Sequence, residues 1–246
     1  MKTFLNKLRK FKLGSTLVLL LLTAIWSIPT VGLLITSLRR RDLAETSPWW
    51  DVFFDPLNQA WSIDAYTKTL ETGMLDSLVN TLVVTIPSVI LPLLVAANAA
   101  FAFTFIEFKG REIYFAILVG LMIIPLQSAL IPVLRGMVAF QKATGLQLTG
   151  NYPSAWIIHC AFALPLAIYI LRNYMLSLPV SLIEAARVDG ASYYQIFWRL
   201  VMPMSVPALA SFAIFQFLWV WNDYLIAFIF VGEQKSVMTY RLLRML

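Results

Sequence analysis

LPVSLIEAARVDGASYYQIFWRLVMPMSVP, residues 178–207, is a polar interruption in a chain that otherwise reads as membrane. Pro179 sits just inside a predicted helix start, and Ser181 followed by Glu184 has the spacing of a capping box, in which each side chain satisfies a backbone N–H without an intrahelical partner. Asp189-Gly190 reads as the stop, because Gly190 tolerates the left-handed conformation that closes a helix. Ser192 with Gln195 repeats the capping spacing at once. The expectation is two short helices joined by a tight turn. The second carries Ile196, Phe197, Trp198, Leu200 and Val201, too broad an apolar face for a free surface element, and Pro203 and Pro207 mark a redirection before the next hydrophobic run.

The flanking composition sets the class. Of 246 residues, 60% are apolar and 13% charged, with a mean hydropathy of +0.77. A soluble domain carries roughly 45–50% apolar and about 25% charged residues, so an excess of this size has to face lipid. The chain is therefore read as an all-α, polytopic transmembrane helical bundle. The net charge of +6 suits anionic lipid headgroups. No loop carries a basic stripe beside aromatic side chains, which argues against nucleic acid as a partner. Cys160 is the single cysteine and lies in a hydrophobic segment, so it is read as a packed thiol rather than half of a disulfide or part of a metal cluster.

Five hydrophobic runs are expected to span the bilayer, at about 17–38, 75–105, 113–134, 152–171 and 206–230, with a polar loop at 172–205 between the last two. Residues 1–16 form an amino-terminal segment holding Lys2, Lys7, Arg9, Lys10 and Lys12 without an acid, an arrangement that anchors this end in the cytoplasm. Pro29 is expected to bend the first span. Residues 39–73 are polar but rich in Trp and Phe, which fits the headgroup level or contact with another protein. Arg39-Arg40-Arg41 stands on the side assigned as outer, so Lys and Arg fall almost evenly on both faces and charge alone does not orient the chain.

Several polar residues fall inside these runs. Asn98, among Ala96, Ala97, Ala99 and Ala100, is read as an amide bridging closely packed helices. Pro125 and Pro132 in span three require protein or a watery cavity to repair the backbone, which makes Gln127 and Ser128 candidates for the translocation pathway. His159 is read as a histidine hydrogen-bonded to a neighbouring helix, with a pathway role as the alternative; no carboxylate or second histidine is spaced near it in sequence. Trp219, Trp221, Asn222 and Asp223 form the sharpest intramembrane constellation. An ionised Asp223 has to be paired, neutralised or turned to a cavity. Residues 135–152 are expected to be an outer loop with a short helix near Met137–Thr144, and residues after Gly232 a short tail.

The spacing Glu184-Ala185-Ala186, three residues, Gly190, nine residues, then Leu200-Val201-Met202-Pro203 resembles the cytoplasmic EAA loop of membrane subunits of bacterial ABC importers. The family pattern ends Ile-x-Leu-Pro; Leu200 and Met202 keep apolar side chains of similar size. The resemblance runs from about Leu17 to Gly232 and is nearest to carbohydrate permease subunits of the maltose-transporter type. It implies a type I ABC importer permease fold in a bacterial inner membrane. It also implies a second homologous permease subunit, two ATP-binding cassette subunits and an extracytoplasmic solute-binding protein. Glu184, Ala185, Ala186, Asp189, Gly190, Ser192 and Pro203 would couple to the ATPase. A Trp-Asn-acid segment occurs at the matching place in the family, and Trp219 and Trp221 are suited to stack on a sugar ring. A sixth span would normally follow Gly232, whereas this sequence supplies five.

The sequence has no Gly-Lys-Ser phosphate cradle, zinc-ligand spacing or serine nucleophile elbow. The chain is thus expected to bind no cofactor and catalyse nothing itself, with ATP and Mg²⁺ held by partner subunits. Two rival readings differ in their driving force. A secondary transporter would use an ion gradient and ionisable groups in several spans, and a non-transporting assembly subunit would show no substrate-stimulated ATP turnover.

Overall fold

The computed structural model describes residues 13–245, so the basic stretch from Lys2 to Lys12 lies outside the described residues. The chain divides into two compact units, residues 1–74 and 75–246.

The first unit is built on α1 (Leu13–Ser37), uninterrupted at Pro29. Its lipid-sized apolar surface is nearly all exposed, as expected of a helix that crosses a bilayer. The segment that follows is a folded corner: α2 (Arg41–Thr46), a 3₁₀ turn over Trp49–Phe53 and α3 (Asp64–Glu71). The ring of Trp49 lies on Gly32, where an added Cβ would come within 2.9 Å of the indole nitrogen. The arginine triplet is absorbed locally. Arg39 is buried and donates to the carbonyls of Ser47 and Pro48 and to the Ser47 hydroxyl, while Arg40 pairs with Asp42 and Arg41 with Glu45. All three arginines thus have partners within this corner.

The second unit holds α4 (Met74–Phe105), α5 (Arg111–Leu121), α6 (Leu126–Thr144), α7 (Tyr152–Leu176), α8 (Val180–Val188), α9 (Tyr193–Ile196), α10 (Met202–Met204), α11 (Val206–Trp221) and α12 (Met238–Met245). α4 and α7 are long and apolar enough to cross a membrane; α5 with α6, and α9–α10 with α11, do so only as pairs bent by 104° and 70°. Ala96, Ala97 and Ala100 of α4 are completely or almost completely buried, so small side chains let α4 approach α7 and the loop beyond it. A second cluster around Leu130, Ile158, Val220, Ile226 and Phe230 joins α6, α7 and α11.

Four expected boundaries are corrected. Span three, 113–134, is not one helix: Pro125 cannot continue α5 and forces an extended backbone, and the chain turns 104° into α6. The helix expected at Met137–Thr144 is the end of α6, closed by Gly145 at φ +76°. Span four continues to Leu176, five residues past the expected 171, so the loop begins at Ser177. Span five, 206–230, is broken. α11 ends at Trp221 because Asn222 donates to the Leu218 carbonyl and Asp223 accepts from N–H groups ahead of it, a local alternative to helix. The helical turns then resume through Val231.

One further reading changes. Asn98 is exposed and donates to Leu94 of its own helix, and it bridges to no other helix among the described residues. Asn80 bridges instead, accepting from the Tyr152 hydroxyl at 2.7 Å and donating to the Ser236 carbonyl at 3.1 Å. The short tail after Gly232 packs on the bundle: α12 lays Tyr240 against Tyr224 and Phe228 at ring distances of 5.9 and 5.6 Å, and Arg241 donates to Ser77 of α4.

Candidate coupling loop and intramembrane cavity

The unit between α7 and α11 is built by local rules with one exception. α8 begins at Val180 with Pro179 as its cap position, so Ser181 already lies inside the first turn and its expected capping box with Glu184 does not form. Glu184 is exposed. At the other end Gly190 (φ +80°) donates to the Arg187 carbonyl at 3.0 Å and Ala191 to the Ala186 carbonyl at 2.9 Å. This nested pair is the Schellman closure, in which a left-handed glycine lets the last carbonyls of a helix find donors. Asp189 is the residue just before it, at the helix end. The second capping box does form: Ser192 accepts from the Gln195 N–H at 3.3 Å, and Gln195 accepts from the Ser192 N–H at 2.8 Å.

After α9 the helix widens into a π turn over Phe197–Val201. Pro203 has no N–H for the Arg199 carbonyl, and the Met202 N–H reaches back to Phe197 instead. The chain bends between Met204 and Val206, and the Tyr174 hydroxyl of α7 donates to the half-buried Met204 carbonyl at 3.0 Å, supplying a donor at the bend.

One face of this unit is anchored. Ile183, Ile196, Phe197 and Val201 are buried among Phe101 of α4 and Leu171 and Met175 of α7, and the Phe101 ring lies 5.2 Å from Phe197 and 6.4 Å from Tyr193. The opposite face is open. The two alanines divide between the faces, Ala186 half-buried and Ala185 exposed, and Val188 is 88% exposed. A short helix that shows Leu182, Ala185 and Val188 to its surroundings while bolted down behind has the form of a docking element.

The second candidate is a cavity of about 470 Å³ between α5, α6, α7 and α11. Phe162, Phe215, Trp219 and Ile226 contribute apolar wall, and His159 and Gln216 bring polar groups. His159 is 2% exposed and its Nε2 has no hydrogen-bond partner among the described residues. Gln216 is buried and donates to the Ser88 carbonyl of α4 at 3.3 Å. Of the expected pathway residues, His159 and Trp219 line this cavity. Gln127 and Ser128 sit exposed at the start of α6, where the Ser128 hydroxyl donates to Pro125, and Trp221 stacks on Phe217 at 5.3 Å.

Asp223 lies just behind the wall. Its Oδ2 accepts from the N–H groups of Ile226 (2.9 Å) and Ala227 (3.2 Å), capping the resumed helix, and stands 3.9 Å from Nε2 of His159. Its own carbonyl accepts from Thr239 of α12. Sequence spacing gave no sign of the His159–Asp223 approach, because the two residues belong to different helices. The buried polar row Ser77, Thr81, Thr85 and Ser88 on α4 was also passed over, although its spacing places all four on one helical face. Among the described residues no three His, Cys, Asp or Glu side chains are grouped so as to hold a metal ion.

Comparison with known proteins draws these features together. The family model for the binding-protein-dependent transport system inner membrane component matches residues 72–244. The osmoprotective compounds uptake permease protein GgtD of Synechocystis sp. is 44% identical over 228 residues, covering 92% of this chain and 74% of GgtD. The alpha-glucoside transport system permease protein AglG of Rhizobium meliloti is 46% identical over 192 residues, covering 76% of this chain and 50% of AglG. The melibiose/raffinose/stachyose import permease protein MelC of Bacillus subtilis is 30% identical over 213 residues, covering 85% of this chain and 71% of MelC. In fold, the chain matches a crystal structure of a bacterial ABC transporter involved in the import of the acidic polysaccharide alginate. The TM-score is 0.77 at 24% identity, over 96% of this chain and 80% of that one. The shared architecture is the all-α, membrane-spanning type I ABC importer permease fold.

Proposed function

Since the chain belongs to the family of binding-protein-dependent transport system inner membrane components, we propose that it forms half of a sugar-translocation pathway and receives ATP-driven motion through α8 and the Gly190 turn. Membership makes it the multi-pass permease component of an ABC importer, working with a separate ATPase subunit, and bears out the resemblance carried by Glu184 to Pro203. The remaining assignments are ours. Two ATPase subunits bind ATP and Mg²⁺, each taking one such loop. A second homologous permease subunit completes the pathway, and a solute-binding protein delivers substrate from outside. The loop 177–205 and the amino terminus face the cytoplasm of a bacterial cell, with this subunit in its inner membrane.

The observation that carries this reading is the two-faced build of α8: Ile183 is fixed in the core while Glu184, Ala185 and Val188 are exposed beside a turn whose backbone donors are already satisfied. Such a unit transmits a push without deforming. ATP shifts the permease only to the extent that the closed ATPase pair binds one arrangement of these loops more tightly than the other. Glu184, Ala185, Asp189, Gly190 and Ser192 form the contact and its frame, Ala186 packs it on the bundle, and Pro203 sets the π turn that carries the loop into α11.

The substrate we assign is a small neutral sugar, an α-glucoside or a related disaccharide. AglG is named for alpha-glucoside transport, MelC for import of melibiose, raffinose and stachyose, and GgtD for uptake of osmoprotective compounds. The cavity offers Trp219, Phe215 and Phe162 as faces for a pyranose ring, with His159 and Gln216 for its hydroxyls.

The test is reconstitution of the full complex in vesicles. ATP hydrolysis is expected to rise when solute-binding protein loaded with an α-glucoside is added outside, with sugar accumulating inside. Tyr194→Cys, at a 72% exposed position of α9, is expected to crosslink to the ATPase. Uptake driven by an ion gradient without ATP, or labelling of that cysteine from outside the cell, would overturn the assignment.

A further inference from the structure

The coupling loop is joined in sequence to α7 and α11, yet one of its side chains bonds to neither. Arg187, in the last turn of α8, donates from Nη2 to the carbonyl of Phe105 at 2.8 Å. Phe105 is the final residue of α4, where helix carbonyls lack intrahelical donors and the macrodipole presents its negative end. A guanidinium there makes a charge-assisted hydrogen bond and is held in place by the Tyr193 ring, 5.0 Å from its central carbon.

A second arginine gathers the neighbouring helix ends. Arg172, near the end of α7, sits 4.0 Å over the Phe115 ring of α5 and reaches Glu112 of α5 at 3.3 and 3.4 Å. Its Nε points at the Phe103 carbonyl of α4, at 3.5 Å. The end of α4 is therefore approached by one cation from α7 and one from α8. Arg172 connects helices of the bundle with one another. Arg187 is the cation that comes from the coupling loop itself.

We infer that Arg187 is a positioning residue for transport, tying α8 to the end of α4 so that displacement of the loop by the ATPase moves α4 together with α7 and α11. This rests on the coupling-loop reading above. The apolar contacts of Phe101 with Tyr193 and Phe197 resist compression of the loop onto α4, but dispersion contacts of this kind give little resistance to sliding or withdrawal. A directional bond from a planar fork to one carbonyl resists both. Moving α4 matters because it carries Ser88, whose carbonyl holds Gln216 at the cavity. The tie thus links the ATPase side to a cavity wall through a helix that sequence order does not connect to the loop.

The experiment uses the assembled complex in a Cys160→Ser background, with a spin label at Asn98→Cys, an exposed position on α4 about two turns before Phe105. Docking is read independently by crosslinking Tyr194→Cys to the ATPase. With Arg187 present, ATP is expected to change the mobility of the label. In Arg187→Ala the crosslink is expected to persist while the ATP-dependent change disappears and sugar moved per ATP falls about tenfold. Arg187→Lys, which keeps one donor and the charge but not the planar fork, is expected to restore part of both. An unchanged label response in Arg187→Ala with docking retained overturns the tie. Loss of the crosslink in Arg187→Ala alone also overturns it, by making the residue an ATPase contact. Loss of the crosslink with Arg187 present would instead overturn the coupling-loop reading.

Discussion

Nε2 of His159 stands 3.9 Å from Oδ2 of Asp223, bringing the buried middle of α7 up to the break that follows α11. The same oxygen caps the resumed helix through Ile226 and Ala227, so one carboxylate serves the backbone on one side and faces the imidazole on the other. Asp223→Ala removes the cap and is expected to lower stability by about 1–2 kcal/mol, whereas Asp223→Asn keeps an acceptor and is expected to melt near the parent. Thermal melting in detergent separates the two. A loss of stability in Asp223→Asn as large as in Asp223→Ala would show that the charge, and not the cap, holds this corner.

Gly190 tests backbone conformation by itself. A Cβ added there would meet no atom within 4 Å, so the whole penalty of substitution comes from φ +80°. Gly190→Ala is expected to cost about 1–2 kcal/mol, Gly190→Asn less, and Gly190→Val most, because branching at Cβ worsens the left-handed clash. Sugar transported per ATP hydrolysed should fall in that order. Equal coupling in the alanine and valine variants would remove the turn from the mechanism.

The Ser192–Gln195 box is the smaller contribution. Ser192→Ala leaves a backbone donor of α9 without its side-chain acceptor and is expected to cost about 1 kcal/mol, while Ser181→Ala, which deletes no cap, should be close to neutral. Hydrogen exchange at the Gln195 amide reads the difference directly. Matching exchange rates in the two variants would contradict the assignment of the cap.

Asn80 joins three segments, through Tyr152 of α7 and the Ser236 carbonyl before α12. Asn80→Leu strands both partners away from bulk water and is expected to cost about 1–3 kcal/mol, against near neutrality for Asn98→Leu, whose amide bonds only to its own helix. A destabilised Asn98→Leu protein beside an unaffected Asn80→Leu one would reverse this assignment.

In the corner after α1, the Arg40 guanidinium hydrogen-bonded to Asp42 holds that carboxyl down at about 2, against an ordinary 3.8. A depressed folded value means that the pairing supports the corner above about pH 4 and is lost as pH falls through 2. A ¹³C titration of the Asp42 carboxyl is expected to have its midpoint near 2 and to move toward 3.8 in Arg40→Gln. Both groups are exposed, so added salt should move it the same way. A midpoint unaffected by either change would exclude the pair as its cause.

The candidate coupling site was the most legible part of the chain, because Asp189-Gly190, Ser192-Gln195 and Pro203 act over three or four residues and local sequence carries that chemistry whole. Where a local rule failed, the cause was also local: Pro179 took the cap position, so Ser181 and Glu184 were displaced into the helix. The pathway was less legible. Gln127 and Ser128 drew attention as polar residues in an apolar run, but the 104° turn at Pro125 leaves them exposed at the start of α6, while Gln216, a single amide in an aromatic run, lies at the cavity.

Sequence alone determined that the chain is a helical membrane protein and where the turn at Gly190 and the cap at Ser192 fall, since hydropathy and capping are properties of contiguous residues. Tertiary structure decided which helix ends meet: that Arg187 reaches Phe105, that His159 faces Asp223, and that spans read as continuous are broken at Pro125 and Asn222. Those outcomes depend on where backbone groups freed from one helix find donors and acceptors on another. In an apolar stretch the hydrophobic pattern that marks a span is the same whichever neighbour supplies them.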